Sequence, residues 1–534
     1  MNFQATGIPY DQTHSFSKTV LDYLHGSEAL RPFYHLFPEK SAMLEAIKQK
    51  AEHKQDRELL YNYLKDQYDR LEQDQAVISN IELLRETQTF TITTAHQPNI
   101  FTGPLYFIYK ILHAAKLAAY CRAAFPAYNF VPVYYMGSED ADLDELGHIY
   151  LKDEKLVWNT DQKGAVGRMK IDDALLKLIK RIESEIGVLP HGAEIMEAVK
   201  SFYKKGSLIQ DATLGFVNFL FGKYGVVVVV PDAAPLKSVA IDLFKDELLN
   251  QRSSALVADT AEQLLDKGYK TQAHGRDINL FYLTEKGERL RIEKQDDRWQ
   301  VVDSDISFTE SELMRETASH PERFSPNVIL RGLFQEMILP NIAFIGGGGE
   351  LAYWLELKAI FDQYKVPYPM LVLRNSVLVV AKKPAALAKK LDFEMADLFK
   401  SPLHLKRVWV QRHSENDVST AKALGAVQNI YRELSEQAEP IDTTLKGHIY
   451  ALQKQHEKNL VTLGKKLLRA EKRNHEAAMR QIDRLKQQLF PLQNLQERIE
   501  NILVYYATWG PDFMDTLYQH AHAIKPEFLI LEEV

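Results

Sequence analysis

At 534 residues the chain exceeds the roughly 250–300 at which a single hydrophobic core stops growing, so two or three structural units are expected. Apolar residues make up 46% and charged residues 26%, ordinary for a folded globular protein, and the net charge of −7 excludes a wholly basic surface built to coat nucleic acid. No apolar run approaches the ~20 residues that span a bilayer, and a single cysteine, Cys121, rules out an internal disulfide.

Residues 15–90 carry apolar side chains at three- and four-residue steps, as in "SFSKTVLDYLHG", and read as helices. The opening "MNFQATGIPYDQTHSF" lacks a basic stretch followed by an apolar one, so no secretion signal is read and a cytoplasmic, soluble chain is expected. "TFTITTA" (89–95) is a strand, and four more follow: "NFVPVYYMG" (129–137), "YGVVVVVPD" (224–232), "NIAFIGGGG" (341–349) and "YPMLVLRN" (368–375). Their near-continuous apolar character suits strands covered on both faces. Helical stretches at 103–120, 236–250 and 350–364 alternate with them, which predicts an α/β core with a parallel sheet. Residues 279–303 alternate like hairpins and read as a small β-rich insertion. Cys121 follows the helical "HAAKLAAY" and is expected to be a buried structural thiol.

Beyond about residue 400 the pattern changes. A helix at 417–439 stops at Pro440, and a second runs from about 442 to 489, with Leu452, Leu460, Leu463, Leu467 and Leu485 among its apolar positions. These steps describe a coiled-coil seam interrupted by stutters. Such a helix would be on the order of 70 Å long, so it must pack on the 417–439 helix or on another subunit. From 446 to 490, eleven Lys/Arg stand against four Asp/Glu, a solvated face or a surface for an anionic partner. "EFLILEE" closes the chain as a docked strand.

In an open parallel sheet, ligands bind beyond the carboxyl ends of the strands. Three loops there draw attention. In "AHQPNIFTGPLY", Thr102 is placed to cap a helix with Pro104 in its first turn, so free N–H groups of Gly103, Leu105 and Tyr106 would form an anion cradle beside His96 and Gln97. "MGSEDADLDELGH" crowds Glu139, Asp140, Asp142, Asp144 and Glu145 together, which calls for an amine or cation among them. "IGGGGELAYW" brings Gly346, Gly347, Gly348 and Gly349, then Glu350, Tyr353 and Trp354, to a strand end where backbone can approach a ligand closely. Asn327, Arg331 and Gln335 recur at four-residue steps on one helix, and Arg374 ends the last core strand. Walker A, H-E-x-x-H, C-x-x-C and G-x-S-x-G patterns are all missing, which disfavours phosphate-loop ATPases, zinc proteases and serine hydrolases.

The blocks "FTGPLYFIYK", "VPVYYMGSEDADLDELGHIY", "GAVGRMKI", "SPNVILRGLFQEMILPNIAFIGGGGELAYWLELK" and "LFPLQNLQERIENIL" together resemble the cysteine ligase family of bacillithiol biosynthesis, over nearly the whole chain. The resemblance implies a Rossmann-like core with inserted connecting segments and a C-terminal α-helical coiled coil that forms a homodimer. It implies a helical segment at 1–88, a core at 89–400 with insertions near 150–220 and 255–325, a coiled coil at 401–495 and a tail at 496–534 docking back on the core. The implied reaction joins cysteine to the amine of glucosaminyl-malate, with a nucleotide pocket in the core; because a carboxylate does not acylate an amine unaided, ATP (or bound ADP or AMP) is expected there, with a cysteinyl-adenylate as one route. His96, Thr102, Glu139 and Asp140 are then the expected catalytic groups, with Glu139 or Asp140 holding the α-ammonium of cysteine, a Mg²⁺ ion or the attacking amine. The remaining polar, aromatic and glycine positions named above would bind nucleotide or substrate. Membrane contact and nucleic-acid binding are not expected. Rival readings are a non-catalytic nucleotide-binding coiled-coil scaffold and a synthetase-like RNA binder.

Overall fold

The computed structural model describes residues 2–534. Five parallel strands form the central sheet, in the spatial order Met370–Leu373, Asn341–Gly346, Thr89–His96, Asn129–Met136, Val227–Val229. All five sequence-predicted strands are present, the valine run being shortened to three residues. The chain starts in the middle strand, winds outward to Val227–Val229, and then crosses to the other side for Asn341–Gly346. Strand order therefore reverses between Thr89–His96 and Asn341–Gly346, the switch point at which the carboxyl ends leave a crevice.

Helix Tyr106–Ala124 packs on strands Thr89–His96 and Asn129–Met136, while Lys40–Glu52 packs on Asn341–Gly346. Phe90, Ile92, Leu117, Phe130, Ile342 and Ile345 fill the core with Met43 and Ile47 of the N-terminal helix. Cys121 lies in it, 3.7 Å from the Met43 sulfur, and burial pushes its thiol up to about 12, so it is a packing residue. The β-rich insertion is a five-stranded antiparallel sheet in the order Ser307–Thr309, Arg298–Val301, Arg289–Gln295, Leu280–Leu283, Phe324–Pro326. Residues 494–531 return to the same compact unit as the core, where Leu529 N–H donates to Ser376 O at 2.9 Å. Strand Phe3–Pro9 has no counterpart in the sequence reading.

The second compact unit holds residues 380–493 together with 12–14 and 532–534, and its first helix is Lys382–Lys390. Within it, helix Ala421–Ala438 runs beside Leu445–Asn474, with Tyr431 Oη and His456 Nδ1 2.6 Å apart. The long predicted helix is broken: Leu445–Asn474 and Glu476–Leu489 meet at His475, whose φ of −113° and ψ of 35° leave the helical region. Glu471 gathers Ser414, Asn416, Asn474 and His475 around its carboxylate just before the break. Ile430, Leu434, Tyr450, Val461, Leu463 and Leu467 remain exposed.

Candidate functional site

A cavity of about 560 Å³ opens at the switch point. Four neighbouring strand ends supply its floor: Ala95–Gln97, Gly137 with Asp140, Gly347–Glu350 and Arg374. The antiparallel insertion adds Phe281 and Arg289, the connection before it adds His274 and Arg276, and helix Val328–Ile338 adds Arg331. Arg498 reaches in from the returning C-terminal segment. Among the described residues, five arginines and three carboxylates (Asp140, Glu145, Glu350) line this space. The surplus of planar cationic donors suits a ligand carrying phosphates or carboxylates.

Electrostatics within the cavity are set by burial and pairing. The His96 ring is wedged against Tyr106 (5.4 Å) and Phe107 (5.5 Å). Burial, helped by the charges of Lys110 and Arg374, holds its pKa well below the usual histidine value, so the imidazole is neutral at pH 7. For Asp140, burial works against ionisation, but Arg331 and Arg289 outweigh it and keep the carboxyl below its ordinary value. Gln97 Nε2 donates to Asp140 Oδ2 at 3.1 Å, and an Arg331 guanidinium nitrogen lies 3.5 Å from it. Arg289 stacks over Phe281 at 4.0 Å and donates to Ser325 Oγ (2.9 Å) and Pro326 O (3.1 Å). Burial and the nearby Arg331 lower its pKa to about 10, which still leaves it cationic at pH 7.

Two ion pairs brace the glycine turn, Lys110–Glu350 partly buried and Arg374–Glu497 fully so. Lys110 Nζ donates to both Glu350 oxygens (2.9 and 2.7 Å) and to Ala95 O, tying the end of one strand to the turn after the next. Arg374 binds Glu497 through two bonds of 3.0 and 2.7 Å, and its guanidinium lies 5.2 Å from the Tyr106 ring.

Of the sequence candidates, His96, Gln97, Tyr106, Asp140, Asn327, Arg331, Gly347, Gly348, Gly349, Glu350, Tyr353 and Arg374 line the cavity. Asn327 also caps its own helix through Ile329 N–H and donates to Asn279 Oδ1. The others do not reach it. Thr102 is not a helix cap: it has a φ of 71° in a 3₁₀ turn, and the helix begins at Tyr106. Two of the three N–H groups of the expected cradle are taken, Gly103 N–H donating to Ile100 O (3.0 Å) and Leu105 N–H to Glu500 O (2.8 Å). Asn501 locks this loop by donating to Phe101 O and Gly103 O.

Glu139 turns away from the cavity to the buried ammonium of Lys237, which also lies 3.5 Å from Asp232. Asp232 in turn binds Arg168 at 2.6 Å. Lys237 fills the Glu139 carboxylate, so of this pair only Asp140 faces the cavity, and no group of three or more His, Cys, Asp or Glu is placed to hold a metal among the described residues. Asp142 caps Leu143–Leu146, Gln335 donates to Glu336 at 2.9 Å, and Trp354 stacks on Phe344 at 4.4 Å. Gly346 lies one residue short of the cavity, its carbonyl taking Arg374 N–H at 2.8 Å.

Sequence reasoning missed Lys110, Arg276, Arg289, Glu497 and Arg498. Arg289 lies in the alternating "ERLRIEK", where period two marks a strand but not which face meets a ligand. Arg498 lies in the quoted block "LFPLQNLQERIENIL", though nothing in its spacing ties it to the core.

A family model described as "Bacillithiol biosynthesis BshC, N-terminal Rossmann-like domain" matches residues 3–375, and one described as "Bacillithiol biosynthesis BshC, C-terminal coiled-coil domain" matches 377–533. A Flavobacterium psychrophilum protein named "Putative cysteine ligase BshC" is 38% identical over 98% of this chain and 99% of its own. A namesake from Flavobacterium johnsoniae is 37% identical over 98% of this chain and 99% of its own. With a Rossmann-like core, a helical coiled-coil unit and relatives named as ligases along the whole length, the chain belongs to the BshC family of bacillithiol biosynthesis.

Proposed function

We propose that the protein forms an amide between the carboxyl group of cysteine and the amine of glucosaminyl-malate, with ATP activating the carboxyl group. The observation that carries this reading is the gathering of Arg276, Arg289, Arg331, Arg374 and Arg498 in one hollow at the switch point, beside a neutral histidine. A carboxylate oxygen is a poor leaving group, so it takes the adenylyl group of ATP and pyrophosphate departs. The amine then forms the new C–N bond as the C–O bond to AMP breaks. Arg276, Arg289, Arg331 and Arg498 hold the phosphates and the charge that develops on them. His96, neutral at pH 7 and with its Nε2 free of a protein partner, offers the amine a hydrogen bond. No step is assigned to a protein-held Mg²⁺.

Labelled pyrophosphate tests the adenylate: protein, cysteine and ATP should exchange label into ATP without the sugar substrate. Amide formed in the absence of any exchange would remove the adenylate from the path. The exposed apolar positions on Leu445–Asn474 and Ala421–Ala438 support pairing of two copies through the coiled coil. No helix among the described residues is long and apolar enough to cross a membrane, and consumption of ATP and a free thiol suits the cytoplasm.

A further inference from the structure

The three cavity-lining glycines of the turn at 347–349 are not equivalent. A Cβ at Gly348 would meet Val20 (3.2 Å), and one at Gly349 would meet Gln272 (3.3 Å). A Cβ at Gly347 would instead sit 3.5 Å from Glu350 Oε2 and 3.6 Å from Arg374 Nε, so its missing side chain opens a recess between a carboxylate and a guanidinium. Neither group can swing away. Both Glu350 oxygens hold Lys110, and Oε2 also accepts Gly347 N–H at 2.8 Å. Arg374 is 4% exposed, and its Nη1 and Nη2 are taken by Glu497, Asn375 O and Ser376 Oγ, which leaves Nε–H for a ligand.

We propose that this recess seats the α-ammonium and α-carboxylate of the amino-acid substrate, the ammonium on Glu350 Oε2 and the carboxylate on Arg374 Nε. Opposite charges one residue's width apart match the two groups that an α-amino acid carries on one carbon. Because Lys110 balances Glu350 and Glu497 balances Arg374, the recess is neutral as a whole, as a zwitterion is. The bonds to Lys110 and Glu497 fix Glu350 and Arg374 before binding, so little ordering cost falls on the ligand. Arg276, Arg289, Arg331 and Arg498 remain for the anionic partner elsewhere in the cavity. The assignment rests on the ligase reading for the identity of the amino acid, but binding can be measured without turnover.

Gly347 has a φ of −72° and a ψ of 172°, open to any residue, and a methyl group there meets only ordinary contacts. Gly347→Ala should therefore fold while filling the recess. Calorimetric titration of the full-length wild-type chain with L-cysteine, cysteamine and 3-mercaptopropionate, repeated with the variant, tests the assignment. Cysteine should bind the wild type, and each analogue, lacking one of the two groups, should bind about tenfold or more weakly. Gly347→Ala should weaken cysteine by about tenfold or more beyond any change in ATP affinity. Equal binding of cysteine by both proteins, equal binding of either analogue, or no binding of cysteine by the wild type would overturn the assignment. Mass detection of the amide from cysteine, glucosaminyl-malate and ATP judges the ligase reading separately, since product formation does not depend on where cysteine is held.

Discussion

Glu139 and Asp140 are adjacent, share a charge and do different work. One turns inward to Lys237 and the other faces the cavity between Gln97 and Arg331. Burial pushes the Glu139 carboxyl up, with Lys237 opposing. Lys237→Met would strand that carboxylate beside Asp232, costing about 3–5 kcal/mol in urea denaturation, and the double variant Lys237→Met/Glu139→Leu should recover most of it. A single variant as stable as wild type would show the pair to be idle. His96 gives a second test. Its folded pKa is depressed, so the unfolded chain takes up the proton first, and this residue's contribution to stability falls as pH drops below about 6.5. Its ring proton signal should stay constant between about pH 8 and 6, whereas a midpoint near the ordinary value would contradict the burial. The crowding of carboxylates in "MGSEDADLDELGH" was legible in the sequence. Which of them meets a cation was not, because the partners Lys237 and Arg331 lie on distant segments.

The core strands and helices were legible element by element, since run length and periodicity are local properties. The anion cradle at Thr102–Tyr106 failed for a non-local reason: the side chain that fixes this loop, Asn501, is 400 residues from Phe101 in sequence. Asn501→Ala removes donors to Phe101 O and Gly103 O together with the Leu503 cap. A destabilisation of about 1–3 kcal/mol is expected by thermal or urea unfolding. No loss would mean that the loop holds itself. The insertion teaches the same lesson. Hairpin alternation announced the sheet, yet only the folded pairing of Arg289–Gln295 beside Leu280–Leu283 turns Arg289 into a wall of the cavity.

At the scale of the molecule, length alone called for more than one unit, and the change of pattern marked the helical one. The break at His475 was hidden, because it carries no proline or glycine signal. Pairing of two copies through the exposed apolar positions predicts that Leu463→Glu/Leu467→Glu sediments as a monomer while the wild type sediments as a dimer. A monomeric wild type, or a variant that still pairs, would remove the coiled coil as the interface. The central claim, that the switch-point cavity makes the amide, is tested most directly by mass detection of product from cysteine, glucosaminyl-malate and ATP, with wild type and Arg331→Ala side by side. The account predicts the amide from the wild type and at least about a hundredfold slower formation by the variant. Absence of amide with the wild type, or an undiminished rate with Arg331→Ala, would contradict it.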